Sequence, residues 1–451
     1  MSYLSRREFM RRSTVGAAGL GMLLNGKWVP VEAAPLPPPA GPNDRVNVAF
    51  IGFGIRGNIL MEAIKKTGQA NLVAVCDCYQ GHLTRAKERT DGKIDTVFAQ
   101  YKALLDRKDI DAVILAPPDH QHLPMVLNAL SAGKDVYIEK PMTHRVEDGP
   151  TMIEAVKRYN RVLQTGSQGR SSYLQKKAHE IVASGQLGKV SKIIASYNRN
   201  SSTGAWNYPI PPDLKDGVNF NWKEWLGNAP KCAYDPERVF RYRKYWDYSG
   251  GISTDLFVHL ITSIHFIMDA TVPSSVMATG GILVRKDGRE VPDTLDALFV
   301  YPEEFNVNMG ATFNNASVPD QGMTFLGNKG SLTLMGTSFS VAPENPKEGY
   351  AYSIDSWPKT LQEEFMNVGN RRAEANPPII EEGTEVFKDQ GTDSVVLHTL
   401  EFLDCVRTRK ECSENAVVGH HAAAAGHMVN LSYLSGKKMV WDAATDTARE
   451  A

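Results

Sequence analysis

The chain has almost no net charge. Fifty Lys and Arg stand against 51 Asp and Glu in 451 residues, a formal balance of -1, so no global field draws it to nucleic acid or to an anionic membrane surface. Cysteine is scarce as well. The five, Cys76, Cys78, Cys232, Cys405 and Cys412, have neither a zinc spacing nor the even number of a disulfide framework, so the fold must stand without them. Long apolar runs are missing too, and no segment reaches the length of a stable membrane span. What is present is globular: 42% hydrophobic and 22% charged residues, over a length that exceeds one ordinary core and predicts two domains. A small, neutral substrate suits this balance.

Residues 1–34 read as an export signal. Ser5-Arg6-Arg7-Glu8-Phe9-Met10 resembles the twin-arginine motif; an uncharged Gly- and Ala-rich stretch follows from Ser13 to Asn25, and Ala33 and Ala34 offer a small-residue cleavage site. The expectation is export through the twin-arginine translocase to the periplasm or beyond, with no membrane span after processing; a short basic amphipathic helix is the alternative. Residues 35–45 are Pro-rich and predict a stiff linker with nothing to bury, extended or disordered.

Residues 46–167 alternate apolar runs with helical patterns, the signature of a doubly wound parallel sheet. Val46 to Ile51, Leu72 to Cys76, Val113 to Ala116, Val136 to Glu139 and Val162 to Thr165 read as strands. The first runs into Gly52-Phe53-Gly54-Ile55-Arg56-Gly57 and then a helical pattern, so the GxGxxG sits where a Rossmann domain needs it. Its glycines permit a tight turn, close approach of backbone to a pyrophosphate and packing of helix on strand. Asp77 closes the second strand, about 20 residues on, placed to accept from the adenosine ribose hydroxyls. A carboxylate there repels a 2'-phosphate, and Cys78 and Tyr79 supply no cation for one, so NAD is favoured over NADP. Asp77 as a helix N-cap is the plainer reading.

Asp135-Val136-Tyr137-Ile138-Glu139-Lys140-Pro141-Met142 resembles the signature of the glucose-fructose oxidoreductase, inositol dehydrogenase and rhizopine-catabolism (Gfo/Idh/MocA) family. Ala116-Pro117-Pro118-Asp119-His120-Gln121-His122 is similar to its nicotinamide-side loop, Gly327-Asn328-Lys329-Gly330-Ser331-Leu332 to a turn of its second domain, and Glu401 to Arg407 to its closing helix. The resemblance implies that Pro117, Asp119, His122, Glu139 and Lys140 border the cofactor. From its place alone, Lys140 ends a parallel strand and points into the crevice where such sheets bind ligands, where a lysine of lowered pKa can exchange protons with a sugar hydroxyl. A surface lysine paired with Glu139 is the alternative.

Residues 168–451 predict an α+β domain with an open, mainly antiparallel sheet. Val190 to Tyr197, Val276 to Val284, Thr294 to Val300, Val307 to Asn314, Gly322 to Leu326 and Ser331 to Leu334 read as strands. Gly250-Gly251 precede a helical run to about Met268, in which Asp255 and His259 are four apart and so share a helical face. The resemblance implies an acid and a histidine here, facing the lysine: His259 to take the hydroxyl proton and Asp255 to position substrate or imidazole. Phe257 stands where the family has Gly and would narrow the space beside them. Asp255 as an N-cap beside a semi-buried histidine, or half of a metal site, are the other readings; no further ligands appear at matching spacing, and no metal is expected.

Asn198 to Tyr248 is rich in aromatics and arginines, among them Trp206, Arg241 and Arg243, and could form a carbohydrate platform, an arm on a second subunit or plain core. Arg170, Asn198, Trp206 and Arg241 are the substrate-contact candidates. The resemblance implies a homo-oligomer and an NAD-dependent oxidoreductase acting on a hydroxyl of a sugar, polyol or glycoside. Export of an already folded, cofactor-loaded chain would require that cofactor to stay bound and be recycled in place. An NAD-dependent glycosidase or lyase working by transient ring oxidation, and a catalytically silent sugar-binding protein, are the alternatives.

Overall fold

The computed structural model describes residues 27–317, 322–344, 348–375, 383–391 and 393–451. The twin-arginine motif and the Ser13–Asn25 stretch lie outside the described residues. The first described residues join the second sheet. Lys27–Val31 form a strand, β1, paired in parallel with the distant strand Glu385–Asp389, and Val31 is buried in the core of the second sheet. The Pro-rich segment is laid along the first domain: the Pro38 carbonyl accepts from Gln69 Nε2 at 2.7 Å and Ala40 N–H donates to the Gly68 carbonyl at 3.1 Å.

The first domain is a six-stranded parallel sheet of β2 (Val46–Ile51), β3 (Ala70–Asp77), β4 (Asp95–Phe98), β5 (Ala112–Leu115), β6 (Asp135–Glu139) and β7 (Leu163–Gly166), in the order β4-β3-β2-β5-β6-β7. Val48, Phe50, Val113 and Ile114 are fully buried, because helices cover both faces and the central strands meet no water. Strand order reverses between β2 and β5, which opens the ligand crevice at their C-terminal ends. The helix α1 (Ile55–Thr67) begins there, directly after the glycine turn.

The second domain is built on one mixed sheet of β8 (Val190–Ser196), β9 (Ser275–Gly281), β10 (Thr294–Tyr301), β11 (Phe305–Thr312), β12 (Gly322–Gly327), β13 (Gly330–Met335), β14 (Ser338–Pro343), β15 (Glu385–Asp389), β16 (Met439–Asp442) and β17 (Thr447–Glu450), joined by β1. Among the described residues the order is β1-β15-β14-β13-β12-β8-β11-β10-β9-β16-β17, antiparallel except at β1/β15 and β8/β11. In β10 burial alternates: Leu295, Ala297, Phe299 and Tyr301 face the core, and Leu298 and Val300 are exposed. The inner face packs on the helices α2 (Val258–Ile267) and α4 (Ala416–Ser435).

The two domains are not consecutive in the chain. The helix α3 (Ser394–Thr408) lies within the stretch expected to be wholly second-domain, yet Phe402, Leu403 and Val406 are buried in the same core as Val48, Phe50 and Ile114. Its end is pinned by Arg409, whose Nη1 donates to Asp135 Oδ2 at 2.5 Å at the start of β6. The resemblance of Glu401 to Arg407 to the family's closing helix implied a helix here; no local signal said which sheet it covers.

Candidate functional site

The glycine turn is shaped by contact. Gly52 has a φ of +85°, and a Cβ there would come within 2.7 Å of the Ala116 carbonyl oxygen; one on Gly57 would meet the Gly52 oxygen at 2.6 Å. At Gly54 the space is open, with His82 Cε1 at 3.8 Å the nearest atom. The first and third glycines therefore serve packing, while the second bares its backbone to the crevice. Gly54 caps α1 with no side-chain bond, and the first turn holds no acidic residue, so its N–H groups are left to an anion.

Asp77 accepts from the Phe53 N–H at 2.6 Å and the Tyr79 N–H at 2.8 Å, and lies 3.1 Å from His82 Nδ1. Burial pushes its pKa up, but His82 and the two amides more than offset this and hold it below the usual carboxylate range. This turn, the open space over Gly54 and the carboxylate beside it fit a dinucleotide. Phe53 contributes only backbone, since its side chain is fully buried, and Ile55 is exposed at the entrance. His82 escaped the sequence reading, which searched only the residues next to Asp77.

Glu139 and Lys140 part company at the end of β6. Glu139 binds Arg56 Nε at 3.2 Å and accepts from Gln168 Nε2 at 2.8 Å, so it braces the glycine turn rather than pairing with the lysine. Lys140 Nζ donates to the Asp255 carbonyl at 2.7 Å and to its Oδ1 at 2.8 Å. Both side chains are nearly inaccessible, at 7% and 10%. Asp255 also accepts from Arg243 Nε at 2.8 Å and from Trp206 Nε1 at 3.1 Å. Burial raises the Asp255 pKa, yet Arg243 and Lys140 drive it well below the usual range. Burial lowers that of Lys140, and Asp255 opposes the fall. The His259 pKa is pushed far down by burial first, then by Lys140 and Arg56, which favours the neutral imidazole.

The backbone that brings Asp255 and His259 here is not a regular α-helix. Ser253–Phe257 is a π-turn leading into α2, so the expected spacing on one α-helical face is replaced by a wider turn of the kind found at functional sites. The glycines before it are required: Gly251 has a φ of +63°, and a Cβ on Gly250 would strike Thr254 Oγ1 at 2.4 Å. Phe257 is fully buried in the core of the second domain, and its ring is spent on packing.

The remaining candidates scatter. His122 is buried between the carbonyls of Pro141, 2.8 Å, and Pro117, 3.3 Å, and ties the loop to the lysine's strand. Asp119 is buried in that loop, with Oδ2 unpartnered among the described residues. Trp206 is fully buried, so it offers Asp255 an N–H and gives a sugar ring no face. Arg241 is held by the Tyr208 carbonyl and Glu237, at 2.9 and 2.6 Å, two residues from the arginine that does reach Asp255. Arg170 lies 3.5 Å from the buried Glu414, and Asn198 accepts from Thr312 N–H within the sheet at 3.1 Å; neither contacts the Lys140–Asp255 pair. Much of the rest of the aromatic stretch is core: Phe220, Trp222, Trp225, Tyr245 and Tyr248 pack together with Tyr79 of the first domain, while Tyr234, Phe240 and Tyr242 are half-buried at its edge.

Comparison with known proteins agrees with this architecture. Residues 46–167 match a family model described as an oxidoreductase family, NAD-binding Rossmann fold, and residues 229–333 match one described as the GFO/IDH/MocA C-terminal domain. Myo-inositol 2-dehydrogenase of Thermotoga maritima is 26% identical over 255 residues, covering 56% of this chain and 64% of that protein. Alpha-N-acetylgalactosaminidase of Shewanella oneidensis is 26% identical over 234 residues, covering 46% and 50%. The chain thus spans between half and two thirds of the length of these relatives. Among solved structures, levoglucosan dehydrogenase in complex with NADH and levoglucosan superposes with a TM-score of 0.65 at 16% identity, over 87% of this chain and 98% of that one.

Proposed function

The chain belongs to the GFO/IDH/MocA oxidoreductase family, and from that premise we propose that it oxidises and reduces a hydroxyl-bearing carbon of a sugar, polyol or glycoside. The observation that carries the reading is the buried Lys140–Asp255 pair, 2.8 Å apart, at the C-terminal end of a strand of the NAD-binding sheet and beside a neutral His259. Bound NAD supplies the hydride acceptor. Arg56 and Glu139 brace the turn that holds it, and Asp77 takes its ribose. His259, uncharged, accepts the proton of the reacting hydroxyl. Lys140, fixed by both the carbonyl and the carboxylate of Asp255, donates a hydrogen bond to the same oxygen in both directions, and His259 returns the proton when the carbonyl is reduced. Asp255 therefore positions the lysine, and Trp206 and Arg243 position Asp255.

Myo-inositol 2-dehydrogenase and levoglucosan dehydrogenase, both acting on polyhydroxylated rings by name, support the substrate class. The similarity to an alpha-N-acetylgalactosaminidase keeps a second reading, glycoside cleavage through transient ring oxidation. The amino-terminal arginine pair supports export through the twin-arginine translocase and hence a resident, internally recycled cofactor. A row of Ile194, Asn308, Leu298 and Met277 runs across β8, β11, β10 and β9 on the outer face, its three apolar members exposed, and suits a second copy of the chain.

The test is to express the chain with its own amino terminus, purify it from the periplasm without added nucleotide, denature it and weigh what is released. Near-stoichiometric NAD or NADH is the expected result. Periplasmic protein free of nucleotide would overturn the resident cofactor.

A further inference from the structure

We infer that the substrate carries a carboxylate, as a sugar acid does, and that the guanidinium groups of Arg243 and Arg199 receive it; the inference rests on the oxidoreductase reading above. Arg243 spends only Nε, on Asp255 at 2.8 Å. Its Nη atoms have no hydrogen-bond partner among the described residues, and its side chain is 25% exposed, so the outer edge of the fork opens toward solvent beside the lysine. Stacking 4.5 Å over the Tyr242 ring fixes that orientation.

Arg199 enters from the second domain. It lies 4.7 Å over the Tyr197 ring and donates to the Tyr197 hydroxyl at 3.0 Å. The same ring is 6.4 Å from the His259 imidazole. Among the described residues Arg199 has only the Gly204 carbonyl besides that hydroxyl, and no carboxylate. One acid, Asp255, is thus shared by Lys140 and Arg243, and none serves Arg199. Lys140, Arg243, Arg56 and Arg199 stand against Asp255, Glu139 and Asp119 around the reacting position, an excess of one cation, and a neutral sugar would leave that excess uncompensated. A substrate carboxylate bridging the two guanidinium groups compensates it through paired, charge-assisted hydrogen bonds. It also offsets the positive surroundings of His259, which accepts a proton during turnover.

Calorimetric titration of the full chain with three matched pairs tests this: glucuronate against glucose, galacturonate against galactose, and gluconate against glucitol. At least one acid is expected to bind about tenfold or more tightly than its neutral partner, one charge-assisted contact being of that order. Arg243→Gln should remove most of that preference. Arg199→Gln, which leaves the buried Asp255 network untouched, should lower acid affinity in the same direction, with an unchanged melting temperature as the folding control. Equal affinity within every pair, or no binding of any acid, overturns the inference. Acid preference without nicotinamide reduction by a bound acid would retire the oxidoreductase reading alone. Reduction by the neutral partners alone would retire the acid and keep that reading.

Discussion

Lys140 shows how much of a residue's chemistry its position fixes and how much must come from its neighbours. Its place at the end of β6 was legible from an apolar run followed by proline; its partner was not. Glu139 is adjacent in sequence, but successive side chains of a strand point to opposite faces, so the carboxylate turns toward Arg56 and the ammonium toward Asp255. Replacing Lys140 by Met keeps much of the stem and removes the proton. The variant is expected to lose nicotinamide reduction by about 100-fold or more, the usual range for a positioned acid–base group, while released nucleotide stays near the wild-type amount. Undiminished reduction would remove the lysine from the mechanism. The choice between Arg241 and Arg243 was equally beyond the sequence. Both lie in an aromatic stretch, and a short helical turn at Tyr242–Lys244 decides which one reaches Asp255.

Elements were read well wherever burial on one or both faces left a period in the sequence. Five of the six parallel strands stood out because both faces are covered, and β10 because its alternation is strict; the edge strand β4, short and without a fully buried residue, was not read. β1 did not, since Lys-Trp-Val-Pro-Val lies against an export-like segment, and its pairing with β15 spans most of the chain. The pairing has a consequence for processing. Cleavage after Ala34 would strip this edge strand and the buried Val31 from the second sheet. A chain beginning at Glu32 is therefore expected to melt a few degrees below one beginning at Lys27, since loss of an edge strand and one buried valine costs on the order of 1–3 kcal/mol. Identical melting curves would show that β1 contributes nothing, and would free the Ala33–Ala34 site for cleavage. The π-turn at Ser253–Phe257 was hidden for another reason: the Asp255 and His259 spacing reads as one α-helical face, and nothing in that spacing marks the wider turn.

At the scale of the whole molecule, the chain crosses between its domains repeatedly. β1 belongs to the second sheet, β2 to β7 to the first, β8 to β15 to the second, α3 again to the first, and β16 and β17 to the second. The crossings are fastened: Gln164 Nε2 donates to the His398 carbonyl at 2.8 Å, Arg407 Nη1 to Gln69 Oε1 at 2.5 Å, and Lys140 joins Asp255 across the cleft. Unfolding the first domain therefore strips α3 from its core and frees both ends of the second, so the two domains are expected to unfold together. One calorimetric transition is expected, with its calorimetric and van't Hoff enthalpies in agreement. Because NAD binds the folded chain at the seam, saturating it to about 100 times its dissociation constant should add about 2.7 kcal/mol and move that single transition upward as a unit. Two separated transitions, of which NAD shifts only the first, would mean that the interleaved segments do not couple the domains. The site between Lys140 and Asp255 would then be assembled only when substrate and cofactor draw the halves together.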